Sequence, residues 1–248
     1  MKVSVITITF NSESTIRDAL RSVWIQDYPD VEHIIIDGKS NDSTLQIVNE
    51  FPHVTKVISE EDEGIYDAMN KGILMSTGDI IGILNSDDIY VDNHVISDIV
   101  TLMKSTRSTA LYADLNFVEK VDLGKVVRKW KSGKFSRESF KWGWMPPHPT
   151  FFVSRKLYEA YGVYNVDLRS SADYELMLRF LYKELVDPVY LNRVIVNMRL
   201  GGESNKSWAN RVRANTEDRA AWKVNGLAPY FFTTYLKPLR KMGQFFAI

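Results

Sequence analysis

The first 90 residues alternate between short apolar segments and amphipathic segments, and this alternation restricts the fold more than any other feature of the chain. The apolar segments are rich in β-branched residues, which favour strands. The segments between them repeat apolar residues three and four positions apart, which is typical of helices. This order predicts an α/β fold with a mostly parallel sheet, helices on both faces and right-handed crossovers. The predicted strands are 3–9, 31–36, 56–59 and 80–84.

Polar side chains follow each predicted strand at its carboxyl end. They are Thr9 and Asn11 after the first strand, Asp37 after the second, the acidic turn 60–64 after the third, and Asn85, Ser86, Asp87 and Asp88 after the fourth. The carboxyl ends of parallel strands lie along one edge of a sheet, where ligands bind in open α/β folds. Each loop alone is better explained as a solvated connection, but four together favour a site.

Asp87 and Asp88 place two carboxylates side by side at the end of segment 80–84. Adjacent carboxylates repel each other unless a proton or a cation lies between them. A hard divalent metal that also holds phosphate oxygens would satisfy both of them. The alternative is an acidic turn that begins the next helix, with Asp88 or Asp92 as its N-cap.

Composition excludes several classes of protein. The 248 residues are 45% hydrophobic, which is ample for one large domain, and Lys plus Arg equals Asp plus Glu at 31 each, which gives no indication of nucleic-acid binding. The absence of cysteine excludes disulfides and makes a cytoplasmic location the expectation. We expect no secretion signal and no membrane span. The chain has neither a Gly-x-Gly-x-x-Gly segment after its first strand nor a Walker lysine loop, so a dinucleotide dehydrogenase and a phosphate-loop hydrolase are not supported.

The pattern changes after residue 110. Segments 111–118 and 126–130 predict a β-hairpin. Trp130, Trp142 and Trp144 belong to an aromatic and basic stretch, which predicts either a stacking platform for sugars or core packing.

Two polar residues of the second half have ordinary structural explanations when taken alone. His148 lies among prolines on a loop before a predicted strand at 150–153, and a lone histidine is more often structural than catalytic. Asp173 precedes an amphipathic helical pattern, which predicts an N-cap.

The end of the chain predicts a basic amphipathic helix. Residues 227–246 repeat apolar and aromatic side chains three and four positions apart, Lys237, Arg240 and Lys241 fall elsewhere around the helix, and Pro238 predicts a kink. Such a helix indicates contact with a membrane surface. Docking against its own domain or against a partner subunit explains the pattern equally well.

Several segments occur in the order of the motifs of family 2 glycosyltransferases, and the chain resembles that family. They are 6–11 (ITITFN), 35–44 (IIDGKSNDST), 62–72 (DEGIYDAMNKG), 78–79 (GD) and 84–88 (LNSDD), followed by 147–152 (PHPTFF), 171–179 (SADYELMLR) and 201–204 (GGES). One such motif is weak, but the ordered set is specific.

The resemblance implies a GT-A fold, in which a Rossmann-like αβα sandwich with a mostly parallel central sheet is continuous with an acceptor-binding part. It divides the chain into a nucleotide-sugar-binding half at 1–110, an acceptor-binding and catalytic half of the same domain at 111–204, and a basic helical tail at 205–248. It implies an inverting transferase of the hexosyltransferase type, which moves a sugar from a nucleoside-diphosphate sugar to an acceptor hydroxyl in surface polysaccharide or lipid-linked glycan synthesis. A UDP-sugar is favoured as the donor.

The same resemblance implies the partners and the location. The acceptor is a glycan or a lipid-linked acceptor, the cofactor is Mn²⁺ or Mg²⁺, and no nucleic acid is involved. The enzyme is cytoplasmic, and contact through 227–248 would make it peripheral on the inner face of the cell membrane.

Carried over residue by residue, the resemblance also implies a site. Asp173 is the general base, Asp87 and Asp88 bind the metal, and 201–204 is a mobile loop that closes over the donor. Residues implied to bind the nucleotide or the donor sugar are Thr9, Asn11, Asp37, Asp62, Lys71, Asn85, Ser86 and Asp87. Residues implied to contact the acceptor or a phosphate are His148, Trp144 and Gly202.

Three positions depart from the family pattern. Asn85 stands where many members have the first Asp of their D-x-D motif, so Asp88 must supply the second charge. Gly38 and Ala172 each replace an acid of the family pattern. Two alternatives remain: an enzyme like a sugar-1-phosphate nucleotidyltransferase, although segment 7–14 lacks the glycine-rich basic loop expected of one, and a catalytically silent carbohydrate-binding or assembly protein.

Overall fold

The computed structural model describes residues 1–201 and 208–242. Its strands are β1 (Val3–Thr9), β2 (Val31–Asp37), β3 (Val54–Ser59), β4 (Ile80–Ile83), β5 (Ile89–Tyr90), β6 (Ala110–Val118), β7 (Val126–Trp130), β8 (Phe152–Ser154) and β9 (Val189–Arg199). Its α-helices are α1 (Ile16–Trp24), α2 (Thr44–Val48), α3 (Ile65–Met75), α4 (Val95–Thr106), α5 (Arg155–Tyr161), α6 (Ala172–Met177), α7 (Trp208–Val224) and α8 (Thr233–Met242).

The strands form one sheet in the order β3-β2-β1-β4-β8-β6-β9-β5, and β7 pairs with β6 outside this path. β1 pairs in parallel with both β2 and β4, and β2 pairs in parallel with β3. β8 is antiparallel to both of its neighbours, and β6 and β9 are parallel to each other. The predicted α/β fold with a mostly parallel sheet is therefore confirmed.

The side chains of β1 alternate between two apolar clusters, because successive residues of a strand point to opposite faces. Val3 and Val5 pack in a cluster with residues of α4, whereas Ile6 packs in a second cluster with residues of α3. A Cβ at Gly72 of α3 would come within 2.4 Å of the Ile6 side chain, so this glycine permits close approach of helix and strand. The predicted helices on both faces are present.

The predicted hairpin is confirmed as β6 and β7, which pair antiparallel from Leu115 to Val118. β3 begins two residues earlier than predicted, at Val54, and β4 ends one residue earlier, at Ile83. The strand after His148 starts at Phe152, because residues 148–150 form a 3₁₀ turn.

The end of the chain differs from the prediction. The helix α8 begins at Thr233, and residues 227–232 are not helical. Tyr174 of α6 accepts a hydrogen bond from the buried Trp222 of α7 at 2.9 Å, and Lys237 of α8 pairs with Asp218 of α7 at 2.7 Å. As far as Lys237, the tail therefore packs against its own domain. In the part of the chain that the structure describes, none of the helices has the length and apolar character needed to cross a bilayer.

Candidate active site at the carboxyl edge of the sheet

The strand register brings the polar loops together as predicted. Thr9 pairs with Asp37, and Asp37 pairs with Ser59, so β1, β2 and β3 end at the same level. The loop after β4 joins this edge through a 2.9 Å hydrogen bond between the Ser86 and Ser12 hydroxyls.

Asp37 organises the loop that follows β2. Its buried carboxylate accepts hydrogen bonds from the Ser40 backbone N–H at 3.0 Å, from the Ser40 hydroxyl, and from the Ser59 hydroxyl at 2.6 Å. These three donors fix the orientation of the carboxylate.

The loop after β1 is joined to the same segment. Asn11 has a positive φ of 47°, its N–H donates to the Ser40 hydroxyl at 2.8 Å, and its side-chain oxygen accepts from the Asn41 N–H at 3.0 Å. The buried hydroxyl of Thr9 has no hydrogen-bond partner. Phe10, which the sequence analysis did not select, is 62% exposed and lies 3.5 Å from the position of a Cβ at Gly38. In the sequence, the signal for Phe10 was an aromatic residue between the polar residues Thr9 and Asn11 at the end of the strand.

Gly38 makes room for Asp62. A Cβ at Gly38 would lie 2.7 Å from Oδ2 of Asp62, so a side chain here would displace that carboxylate. Oδ1 of Asp62 accepts a hydrogen bond from the Gly64 N–H at 2.9 Å. Lys71 of α3 reaches back to this acidic turn, where its ammonium group pairs with Glu60 at 3.0 Å, and it also pairs with Asp67 of its own helix at 3.2 Å.

The acid pair lies at the end of β4 and is largely buried. The Asn85 amide donates to Asp88 at 3.2 Å, while Oδ1 of Asn85 and Oδ1 of Asp88 are buried without a hydrogen-bond partner. Burial raises the pKa of both carboxyl groups, and the charge of Asp87 raises that of Asp88 further. The N-cap of α4 is His94, so the prediction that Asp88 or Asp92 caps this helix is wrong.

Arg199 supplies positive charge to the acid pair, and the sequence analysis missed it. Its side chain is 7% exposed, and its guanidinium donates to the Asp87 carbonyl at 2.9 Å, to the Lys120 carbonyl at 2.7 Å and to the carboxylate of Asp18. Its charge lowers the pKa of both Asp87 and Asp88 against the effect of burial. In the sequence, the local signal for Arg199 was its position just before the GGES segment. The hydrogen-bond partners of Arg199 are far away in the sequence.

The donor set at the acid pair fits a divalent cation. The oxygens of Asn85 and Asp88 that lack a hydrogen-bond partner are hard ligands. A bound cation would stabilise the charged form of the two carboxyl groups, whose pKa is raised by burial. Within residues 1–201 and 208–242, no three His, Cys, Asp or Glu side chains form a metal-binding group. Sites that bind Mg²⁺ through one or two carboxylates and substrate phosphates have such a small protein donor set.

Asp173 is the second residue of α6 and contacts α3. The residue before this helix is Ser171, so the prediction that Asp173 is the N-cap is wrong. Its Oδ1 instead accepts a hydrogen bond from the Tyr66 hydroxyl at 3.1 Å. Because α3 follows the carboxyl end of β3, this contact lies at the same edge as the polar loops.

The remaining predicted contacts have different surroundings. The imidazole Nε2 of His148 hydrogen bonds to the Tyr164 hydroxyl at 2.8 Å. Trp144 is buried, and its indole N–H donates to the Ser132 carbonyl at 2.8 Å; its contact with the acceptor stays a prediction. Gly202 lies outside the described residues.

Comparisons with known proteins show the family to which the chain is similar. The family model "Glycosyl transferase family 2" matches residues 4–162. An uncharacterized glycosyltransferase of Mycobacterium tuberculosis is 31% identical over 186 residues, which cover 71% of this chain and 68% of the relative. A PGL/p-HBAD biosynthesis glycosyltransferase of the same organism is 27% identical over 208 residues, covering 82% and 78%.

Solved structures show the same fold at low sequence identity. TarS of S. aureus in complex with UDP-GlcNAc has a TM-score of 0.74 at 20% identity, with 95% of this chain and 69% of that chain covered. The mannosyltransferase PcManGT of Pyrobaculum calidifontis, in complex with GDP-Man and Mn²⁺, has a TM-score of 0.67 at 19% identity and covers 95% and 68%. Another TarS structure is covered over 42% of its chain. The predicted GT-A fold is confirmed.

Proposed function

The chain belongs to glycosyl transferase family 2, and on that premise we propose that it transfers a hexose from a nucleoside-diphosphate sugar to a hydroxyl of a glycan or lipid-linked acceptor. The observation that carries the proposal is the edge where four parallel strands end in fixed polar loops beside a buried acid pair. UDP is the favoured nucleotide.

The nucleoside binds over β1 and β2 in this proposal. The exposed ring of Phe10 offers a stacking face for the base, and Asp37, held by Ser40 and Ser59, presents the loop that contacts it. Asp62 and Lys71 lie on the neighbouring turn, towards the donor sugar.

The diphosphate binds at the end of β4. Asp87 and Asp88, with Asn85, would hold Mn²⁺ or Mg²⁺, which when bound neutralises charge on the leaving diphosphate. Arg199 fixes the backbone of Asp87 through its carbonyl, which keeps the carboxylates at this edge.

Transfer is a single displacement at the anomeric carbon. The acceptor oxygen bonds to this carbon while the bond from the carbon to the diphosphate oxygen breaks, so the configuration inverts. The hydroxyl proton passes to the carboxylate of Asp173, which acts as general base. One such carboxylate is sufficient, because the diphosphate leaves without protonation when its charge is neutralised.

The direct test is a panel of UDP-sugars and GDP-sugars incubated with the protein, with Mn²⁺ or with EDTA, and release of the nucleoside diphosphate as the readout. We expect metal-dependent release from a UDP-sugar. Failure of every donor to bind or to be cleaved would contradict the proposal and favour the silent carbohydrate-binding alternative. Cleavage of GDP-sugars alone would contradict the choice of UDP.

We also propose a peripheral contact with an anionic membrane on the cytoplasmic side. Trp142, Tyr230, Phe231 and Tyr235 are exposed, the Lys141 ammonium lies 5.3 Å from the ring of Tyr230, and the Arg219 guanidinium lies 5.1 Å from that of Tyr235. Aromatic rings beside basic groups suit the interface of a negatively charged bilayer.

Co-sedimentation with phosphatidylglycerol vesicles tests this contact. Phe231, which is 84% exposed, is replaced by Ser, and the matched control is Leu74→Ser on α3, where the side chain is 75% exposed. Loss of binding in Phe231→Ser but not in the control is expected. If both variants sediment with the vesicles to the same extent as the wild type, this result would contradict the proposed contact.

A further inference from the structure

Tyr66 is held rigidly at the first turn of α3, and Asn70 provides the support. One turn later on the same helix, the Asn70 amide donates to the Tyr164 carbonyl at 2.9 Å and its oxygen accepts from the Tyr164 N–H at 2.8 Å. The rings of Tyr66 and Tyr164 stack with centroids 5.5 Å apart. The two positions share one helix face because they are four residues apart.

Asp173 is held equally rigidly from the other side. The residues that flank it in α6 are buried, and Tyr174 is fixed by the indole N–H of Trp222 at 2.9 Å. The Ser170 N–H donates to Glu217 of α7 at 2.6 Å. The carboxylate of Asp173 therefore meets the Tyr66 hydroxyl between two supported elements.

The hydrogen bond between them has a fixed direction. Burial, with the charge of Asp173, raises the pKa of Tyr66 well above its ordinary value, so the phenol keeps its proton and is the donor. A donor on Oδ1 of Asp173 leaves the second oxygen of the carboxylate to receive a proton.

We propose that Tyr66 is a positioning residue for the transfer reaction: its hydroxyl orients the Asp173 carboxylate, so that the free oxygen faces the acceptor hydroxyl. This inference rests on the proposed role of Asp173 as the base. Tyr66 itself touches no reacting atom.

Other titratable groups near this pair come from three further segments. They are His148 of the 3₁₀ turn, Tyr164 after α5, and Glu217 of α7. Burial lowers the pKa of His148 and the charge of Asp173 opposes this change, while burial raises the pKa of Tyr164. Both are therefore neutral between pH 7 and pH 9.

Tyr66→Phe tests the proposal, because it removes the hydroxyl and keeps the stacked ring. We expect kcat to fall about 10-fold to 100-fold, the scale of one hydrogen bond to a charged group, with the donor Kd unchanged. The matched control is Tyr161→Phe on α5, which should match the wild type in both quantities.

The outcomes separate this inference from the proposed function. Asp173→Asn is measured in parallel: if it is inactive while Tyr66→Phe has wild-type kcat, Tyr66 has no positioning role and the base assignment stands. If Asp173→Asn keeps full activity, the base assignment fails, and this inference fails with it. A merely structural role of Tyr66 would lower the melting temperature or donor affinity without lowering kcat, and that result also overturns the proposal.

Discussion

The pair between Lys237 and Asp218 makes a quantitative prediction about the packing of the tail. The two side chains are 14% and 6% exposed, their charged atoms are 2.7 Å apart, and the Lys237 ammonium lies 4.0 Å from the centre of the Tyr174 ring. Replacing Lys237 with Met leaves the carboxylate of Asp218 buried without its cation. Removal of one partner of such a pair costs about 3–5 kcal/mol.

Thermal unfolding measures this cost. For a chain of this size, each kcal/mol of lost stability lowers Tm by about 2–4 °C. At the lower limit of the cost, about 3 kcal/mol, Lys237→Met should therefore lower Tm by roughly 6–12 °C. The double variant Lys237→Met/Asp218→Leu should recover most of the loss, because no buried charge remains. Lys39→Met is the matched control: its pair with Glu61 is exposed at both ends, and such pairs contribute about 0–1 kcal/mol.

A change in Lys237→Met no larger than that in Lys39→Met would refute this reasoning. It would mean that the pair is open to solvent, and that the tail is not fixed to α6 and α7 in the way described. The membrane alternative would then gain support for the whole of the tail.

Three further predictions concern the site and its support. Asp87→Ala should abolish both transfer and its dependence on Mn²⁺, measured as nucleoside-diphosphate release with and without EDTA; retained, metal-dependent activity would remove Asp87 from the metal site. Gly38→Ala should change the free energy of unfolding by no more than about 0.5 kcal/mol. It should raise the donor Kd about 10-fold, because the new Cβ displaces the Asp62 carboxylate. An unchanged Kd in calorimetry would argue against a donor contact of Asp62. His33 is hydrogen-bonded to Thr7 and His53, and burial lowers its pKa to about 3. Below pH 6.5 the unfolded chain therefore binds a proton at this residue that the folded chain does not, and the free energy of unfolding should fall by about 2 kcal/mol between pH 7 and pH 5. A Tm that is constant over this range would contradict this prediction.

The first four strands were predictable because their pattern is local. β1, β2 and β4 are almost entirely buried, are rich in Val and Ile and are followed by polar residues, and the parallel register then places their ends together. The same rule predicts that the polar loops meet at this edge, and the register of β1, β2 and β3 confirms that their ends lie at one level.

β9 and the support of Asp173 were not predictable in the same way. β9 pairs with β6, whose residues lie about 80 positions earlier, and Asn192, Arg193 and Asn197 interrupt its apolar pattern. Tyr66 and Asp173 are 107 residues apart in sequence. Contacts of this kind depend on how the elements pack, so no window of sequence contains them.

Two tryptophans of the aromatic stretch have different surroundings. Trp144 and Trp142 belong to the same aromatic stretch, yet the first is buried and the second is exposed near Phe232. The sequence provides the rings but not the direction in which the backbone turns at Gly143, where φ is 74° and the tail backbone at Lys237 approaches closely.

The most direct test of the proposed function is the kcat of Asp173→Asn, measured beside its Tm and its Kd for the donor. The amide keeps the shape of the side chain, and the diphosphate is held at the end of β4, so we expect donor binding and stability close to those of the wild type. Transfer should fall by roughly 10²–10⁴-fold, the usual contribution of a positioned general base. An unchanged kcat in a folded, donor-binding Asp173→Asn protein would contradict the account.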